Sequence, residues 1–324
     1  MRAIRKPTGL ILIAFLVVAN SATPARGQDT NAPTQQATNV GPVQAKAAPA
    51  AGGETNNQQT FASPPSNSIS FQETKARAEK GDVKAQSWLG ADYLFGRGVP
   101  RDSTNAVKWL RTAAEHGDAE AQFNLAWCYC NGSGVPQNYA KAVNWIRKAA
   151  EQGLAYAYSE LGLYYRDGDG VPQNFAEAVT WFQKAAQNGD ARGQYSLGVA
   201  YMEGQGVLQD YTEAIKWFQK ASEQGWDVHE NLVSCYDVLG YDYLTGKGFP
   251  RDYAEAVKWY CRAAEQGDAA AEYMIGLAYK NGWGVPELSE SQRFAEAKKW
   301  SLKAAEQYHK AAERGETEAQ ETLA

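Results

Sequence analysis

The chain has 324 residues and a formal net charge of −5 at pH 7. Residues 1–68 hold five basic and two acidic side chains, so the remaining 256 carry 27 basic against 35 acidic groups, a charge of −8. An acidic body excludes a general nucleic-acid or anionic-lipid binder, and three His with four Cys argue against a His-rich metal site or a dense disulfide scaffold.

The N-terminus reads as an export signal over residues 1–25. Arg2, Arg5 and Lys6 form a basic segment, Leu10–Ala19 is an apolar run, and the small residues Ser21, Ala22 and Ala25 follow. Ten helical residues rise about 15 Å, half of a hydrocarbon core of about 30 Å, so the run is short for a membrane span. Cleavage is expected to leave a chain beginning between Ala22 and Gln28; an uncleaved anchor is the alternative. Residues 26–70 read as a disordered linker rich in Ala, Pro, Gln and Thr. From Gly27 onward it has three charges (Asp29, Lys46, Glu54), one aromatic (Phe61) and no hydrophobic period that could offset the entropy of ordering.

From residue 71 the sequence repeats. Gly81, Gly117, Gly153, Gly189 and Gly225 are 36 residues apart, and Gly267 and Gly315 follow after 42 and 48. A second ladder is Gly96/Gly98, Gly132/Gly134, Gly168/Gly170, Gly204/Gly206, Gly246/Gly248 and Gly282/Gly284. A third is Trp109, Trp145, Trp181, Trp217, Trp259 and Trp300. Three ladders in one phase define units 81–116, 117–152, 153–188, 189–224, 225–266 and 267–314, with a partial seventh at 315–324. Insertions are expected near Trp226–Glu230, Glu287–Arg293 and Gln307–Ala311.

Each unit divides into two helices. The first is predicted at about Val83–Leu94, with Ala85, Leu89, Gly90 and Tyr93 on one face. The G-x-G-V-P segment ends it, since Gly accepts left-handed angles and Pro cannot continue a helix. The second is predicted at about Thr104–Glu115, with an apolar stripe of Ala106, Trp109, Leu110 and Ala113. One such hairpin cannot bury its stripe alone, whereas a stack can.

The other constellations are bland. The GxG pairs follow no strand and continue into neither nucleotide-binding pattern, so they are turns. Asp167-Gly-Asp169-Gly lacks the rest of a calcium-ligand set. His116, His229 and His309 fall in three different units. Cys128 and Cys130 point about 200° apart on one helix and cannot join each other. Cys235 takes a core position and Cys261 a solvent-facing one, and no regular disulfide framework emerges. No cofactor or metal is called for.

The repeated unit resembles the Sel1-like repeat, a longer-looped relative of the tetratricopeptide repeat. In unit three the matching residues are Gly153, Ala157, Leu161, Gly162, Tyr165, Gly168-Asp-Gly-Val171-Pro172, Asn174, Ala176, Ala178, Trp181, Lys184, Ala185, Ala186 and Gly189. The resemblance covers 71–324 and implies an all-α fold, a right-handed superhelical solenoid of about six helix-turn-helix repeats used as a protein-interaction scaffold. Cysteine-rich relatives are associated with penicillin binding or β-lactamase activity. The sequence contains no S-x-x-K, S-D-N or K-T-G, so an enzyme is not expected.

The resemblance also implies that the first helices line the concave face. Their positions off the packing stripe vary between units and are rich in aromatics: Trp88, Phe123, Trp127, Tyr156, Tyr195, Tyr241 and Tyr273. Trp and Tyr are common anchors of binding energy, and some of these rings could instead seal joints between units. The expected function is an exported, periplasmic or secreted, scaffold holding a protein or peptide partner. It would bind no nucleic acid, and would meet a membrane only if the N-terminal segment is retained. A cell-wall-acting enzyme and a glycan-binding or spacer module are the alternatives.

Overall fold

The computed structural model describes residues 70–285 and 287–314. The export signal, all of the linker except Ser70, and the partial seventh unit lie outside the described residues. Thirteen α-helices and no strand are present among those described: α1 Phe71–Glu79, α2 Val83–Phe95, α3 Ser103–Glu115, α4 Ala119–Asn131, α5 Tyr139–Glu151, α6 Ala155–Asp167, α7 Phe175–Gln187, α8 Ala191–Glu203, α9 Tyr211–Ser222, α10 His229–Thr245, α11 Tyr253–Glu265, α12 Ala269–Asn281 and α13 Glu290–Glu313. Consecutive helices pack pairwise as an α-solenoid, and one continuous core runs from Leu94 to Leu161 across unit boundaries.

Polar caps set the ends of the repeated helices. Asp82, Asp118, Asp190 and Asp268 each accept a hydrogen bond from a first-turn backbone N–H of a first helix. Asp102, Asn138, Asn174, Asp210 and Asp252 do the same for second helices. Each such cap is worth about 1 kcal/mol. The first glycine of each G-x-G closes its first helix in the left-handed conformation, as at Gly132 with φ 66°. The cap residue's own N–H then returns to the first helix: Asp102 N–H donates to Tyr93 C=O and Asn138 N–H to Tyr129 C=O.

Within a unit, a large side chain of the second helix nests on a small residue of the first. Phe182 lies on Gly162, Phe218 on Gly198 and Tyr260 on Gly240, each so close that an added methyl group would collide with the ring. These nested residues directly follow the tryptophan ladder, which corrects the expected stripe. Leu110, Ile146, Phe182, Phe218 and Tyr260 are buried, whereas Trp109, Trp145, Trp181, Trp217, Trp259 and Trp300 are all half-buried. The tryptophans are held from outside: Lys148, Lys184, Lys220, Arg262 and Lys303 each place a cation 4.1–5.0 Å from the ring three residues before them. Trp181 also donates from Nε1 to Glu177 and stacks on Tyr158.

Three elements depart from the period. α1 behaves as the closing part of a second helix. Gln86 donates to Ala78 C=O as Gln122 donates to Ala114 C=O one unit on, and the Phe71 ring meets Tyr93 edge-on. α10 begins one turn early, at His229, where the unit-five insertion joins the helix and Leu232 stands at the position that holds the capping Asp in units one, two, four and six. α13 is 24 residues long, since Tyr308 replaces the glycine that stops other second helices and the insertion expected near Gln307–Ala311 continues the helix.

Candidate partner-binding face

The seven predicted aromatics lie on six successive first helices, and the structure sorts them. Phe123 is 7% exposed, with the Tyr156 ring edge-on at 4.6 Å. This corrects its assignment as an anchor: it closes the joint between units two and three and offers no surface to a partner. Tyr156 is half-buried over it, and burial pushes its phenol far above the usual range. Tyr195 is half-buried between the rings of Phe218 and Trp226, stacked on the latter at 5.2 Å. Trp127 is half-buried with Phe95 beside it at 6.1 Å. Trp88 and Tyr241 are also half-buried, and Tyr273 is 43% exposed.

A row at a single helical register stands out more than the aromatics as a set. Trp127 on α4 is followed, one unit at a time, by Leu163 on α6, Val199 on α8, Tyr241 on α10 and Leu277 on α12. All five are apolar and half-buried. Reading for aromatics alone passed over Leu163, Val199 and Leu277, although the sequence signal was available as an apolar residue recurring in phase. Trp226, brought onto Tyr195 by the insertion, had no periodic signal to reveal it.

Charged groups on this face largely neutralise one another between units. Lys84 on α2 contacts Asp118 at 3.0 Å and Glu120 at 3.4 Å. Burial alone would lower its ammonium, but the two carboxylates outweigh that and hold it above its ordinary value. Arg192 on α8 donates to Glu160 and to Ser159 Oγ, tying unit four to unit three. The face thus carries an apolar row flanked by satisfied ion pairs, chemistry suited to desolvating against a mixed polypeptide surface.

All four cysteines are thiols. Burial pushes Cys128 and Cys235 up to about 12 and Cys130 up to about 11, which keeps them protonated and weakly nucleophilic. Cys130 Sγ touches the Tyr164 hydroxyl. Among the described residues no three His, Cys, Asp or Glu side chains group as metal ligands, and no helix is long and apolar enough to cross a membrane.

A face repeated unit by unit on paired helices defines a helical-repeat scaffold. The Sel1 repeat family model matches residues 83–118, 119–154, 155–190, 191–226, 235–268 and 269–309, and the chain belongs to the Sel1 repeat family, whose members generally mediate protein–protein interaction. No curated protein matches the chain. Among solved structures it is similar to c5321, described as a protective antigen present in uropathogenic Escherichia coli strains, with 37% identity and a TM-score of 0.52 over 78% of this chain. The match spans 58% of that protein's length. It is also similar to a Sel1 repeat protein from Oxalobacter formigenes (31% identity, 69% of this chain, 85% of that one, TM-score 0.43). A third is Helicobacter pylori cysteine rich protein B (26% identity, 41% of this chain, 95% of that one, TM-score 0.32).

Proposed function

We propose that this protein is an exported, non-catalytic scaffold that holds an extended segment or a helix of a partner protein along its first-helix face. The observation that carries the reading is the row Trp127, Leu163, Val199, Tyr241 and Leu277, half-exposed in five consecutive units. An elongated partner laid across it buries one apolar side chain per unit, and rim ion pairs set its register without large desolvation. Export rests on the basic segment and short apolar run at the N-terminus, and places the partner in the periplasm or outside the cell. N-terminal sequencing of the exported protein should find a start between Ala22 and Gln28.

The test of the face uses the purified protein, a bacterial periplasmic extract and isolated peptidoglycan. Trp127→Ala combined with Tyr241→Ala should weaken capture of a periplasmic protein by more than about tenfold while helical circular dichroism is unchanged, since an aromatic hot spot contributes about 2 kcal/mol or more. Retention by peptidoglycan alone, or capture indifferent to both substitutions, would refute the reading.

A further inference from the structure

The joint between units four and five differs from the others. In most units the second glycine of the turn presses on the backbone that opens the preceding second helix: Gly134 on Ser103, Gly170 on Tyr139, Gly206 on Phe175 and Gly284 on Tyr253. At Gly248 nothing lies within 4 Å. The 42-residue spacing and the early start of α10 fall at this same joint. A cleft of about 450 Å³ lies there, with Lys216 and Gln219 of α9 on one wall and Tyr236 of α10 with Trp259, Arg262 and Glu265 of α11 on the other.

The inner wall of the cleft is a stack. Trp259 lies on Tyr236 with ring centroids 6.0 Å apart, and the Arg262 guanidinium covers Trp259 at 4.4 Å. In units two, three, four and six the corresponding cation is a lysine: Lys148, Lys184, Lys220 and Lys303. Only at the open joint is it arginine, whose planar fork can grip a carboxylate at two points while the ring fixes its plane. Among the described residues no carboxylate lies within ion-pair distance of Arg262, whereas Lys216 across the cleft is taken by Glu213 at 2.8 Å. A cleft and a ring-stacked guanidinium coincide at one place in an otherwise acidic chain, and Glu265 on the same wall makes no ion pair with Arg262.

We propose that this cleft is a second docking site, separate from the first-helix face, which receives an acidic side chain of a partner polypeptide, its carboxylate hydrogen-bonded by Arg262. Gln219 and the Tyr236–Trp259 stack accommodate the methylene stem of that side chain. The proposal is independent of the first-helix row and survives its failure.

The test measures binding of fluorescein-labelled peptides to the full-length exported protein by anisotropy. The acidic probe is Leu-Glu-Glu-Leu-Glu-amide carrying the fluorescein on its N-terminal amine, compared with its all-Gln amide and with the all-Gln peptide bearing a free C-terminal carboxylate, both labelled in the same way. The Glu peptide should bind and the Gln amide should not; preference for the free-terminus peptide would overturn the side-chain assignment. Arg262→Lys keeps the charge and the stacking, so the fold is retained, and should weaken the Glu peptide by at least about fivefold. Lys148→Arg, at a closed joint, should change nothing. No binding of the Glu peptide, equal binding of the Gln amide, or a Glu affinity indifferent to Arg262→Lys would overturn the proposal. So would Arg262-dependent retention by peptidoglycan in place of the peptide.

Discussion

Phe182 and Trp181 are neighbours in sequence, yet they hold the fold in different ways. Phe182 is 2% exposed and nested on Gly162, and its truncation leaves a cavity that helix packing cannot close. Phe182→Ala should cost about 3–5 kcal/mol in urea melts. Trp181→Ala gives up a half-buried ring, one stack and one cation contact, and should cost about half as much; the reverse order would mean that the helix phase is wrong. The periodic Trp points to the core because it never varies, whereas the position beside it is buried as Leu, Ile, Phe or Tyr in units one to five and is the exposed Ser301 in unit six. Burial tolerates any apolar shape that its facing Gly or Ala can accommodate; the stack with a cation three residues on requires one ring. The burial of Phe123 is hidden from the sequence for a related reason. The ring is sealed by Tyr156, whose position holds Lys84, Glu120 and Arg192 in neighbouring units, so the seal is a pairwise event that no column of equivalent positions displays.

Asp237 gives a residue-scale prediction in pH. Its Oδ1 is buried with no hydrogen-bond partner among the described residues, and burial, then the nearby Asp268, pushes its carboxyl up to about 8. Tyr260 and Tyr308 also face it. The unfolded carboxyl titrates near 4, so between about pH 4 and 8 the native state holds a proton that the unfolded state has lost. Stability is therefore fullest below about pH 4 on this account and falls as pH rises to 8, by on the order of 5 kcal/mol. Asp92, pushed up to about 6 by burial, adds a slope of the same sign. Asp237→Asn should raise the urea midpoint at pH 8 more than at pH 5; an equal rise at both would assign the effect to packing.

At the scale of elements, the joint glycines separate two roles of one residue type. Gly206 and Gly248 both have positive φ, 75° and 79°, so alanine strains either turn by about 1–2 kcal/mol. Only at Gly206 would the added methyl group also collide with a neighbouring backbone, that of Phe175. Gly206→Ala should therefore lower stability by at least about 2 kcal/mol more than Gly248→Ala, read from thermal or urea melts. Equal losses would mean that the joint between units four and five is closed. Helix boundaries were legible from caps and G-x-G turns to within a residue or two, as in α2 and α3. The run-through of α13 was not, because Ala304-Ala305-Glu306 reads as an ending; only the replacement of the expected glycine by Tyr308 shows that the helix goes on.

At the scale of the molecule, a solenoid is held by nearest-neighbour contacts, so its weakest joint sets where cooperativity breaks. The joint at Gly248 lacks its backbone seal and opens into a cleft. In urea well below the main transition, amides of α10–α13 should exchange as a block distinct from those of α2–α9, measured by hydrogen exchange with mass spectrometry. A single uniform block would show that the stack between Tyr195 and Trp226 couples the two halves as firmly as the other joints do.

The glycine seals also bear on how such an array changes over generations. At Gly134, Gly170, Gly206 and Gly284 the close contact is with main chain at the start of the preceding helix, and main chain is the same in every unit. Such a seam does not read the side chains of its neighbour. A 36-residue segment copied, deleted or exchanged in frame finds a compatible seat at once, without compensating substitutions on either flank. The side chains that line the outer faces are then free to diverge, and an insertion such as the one in unit five can open one seam while leaving the others intact.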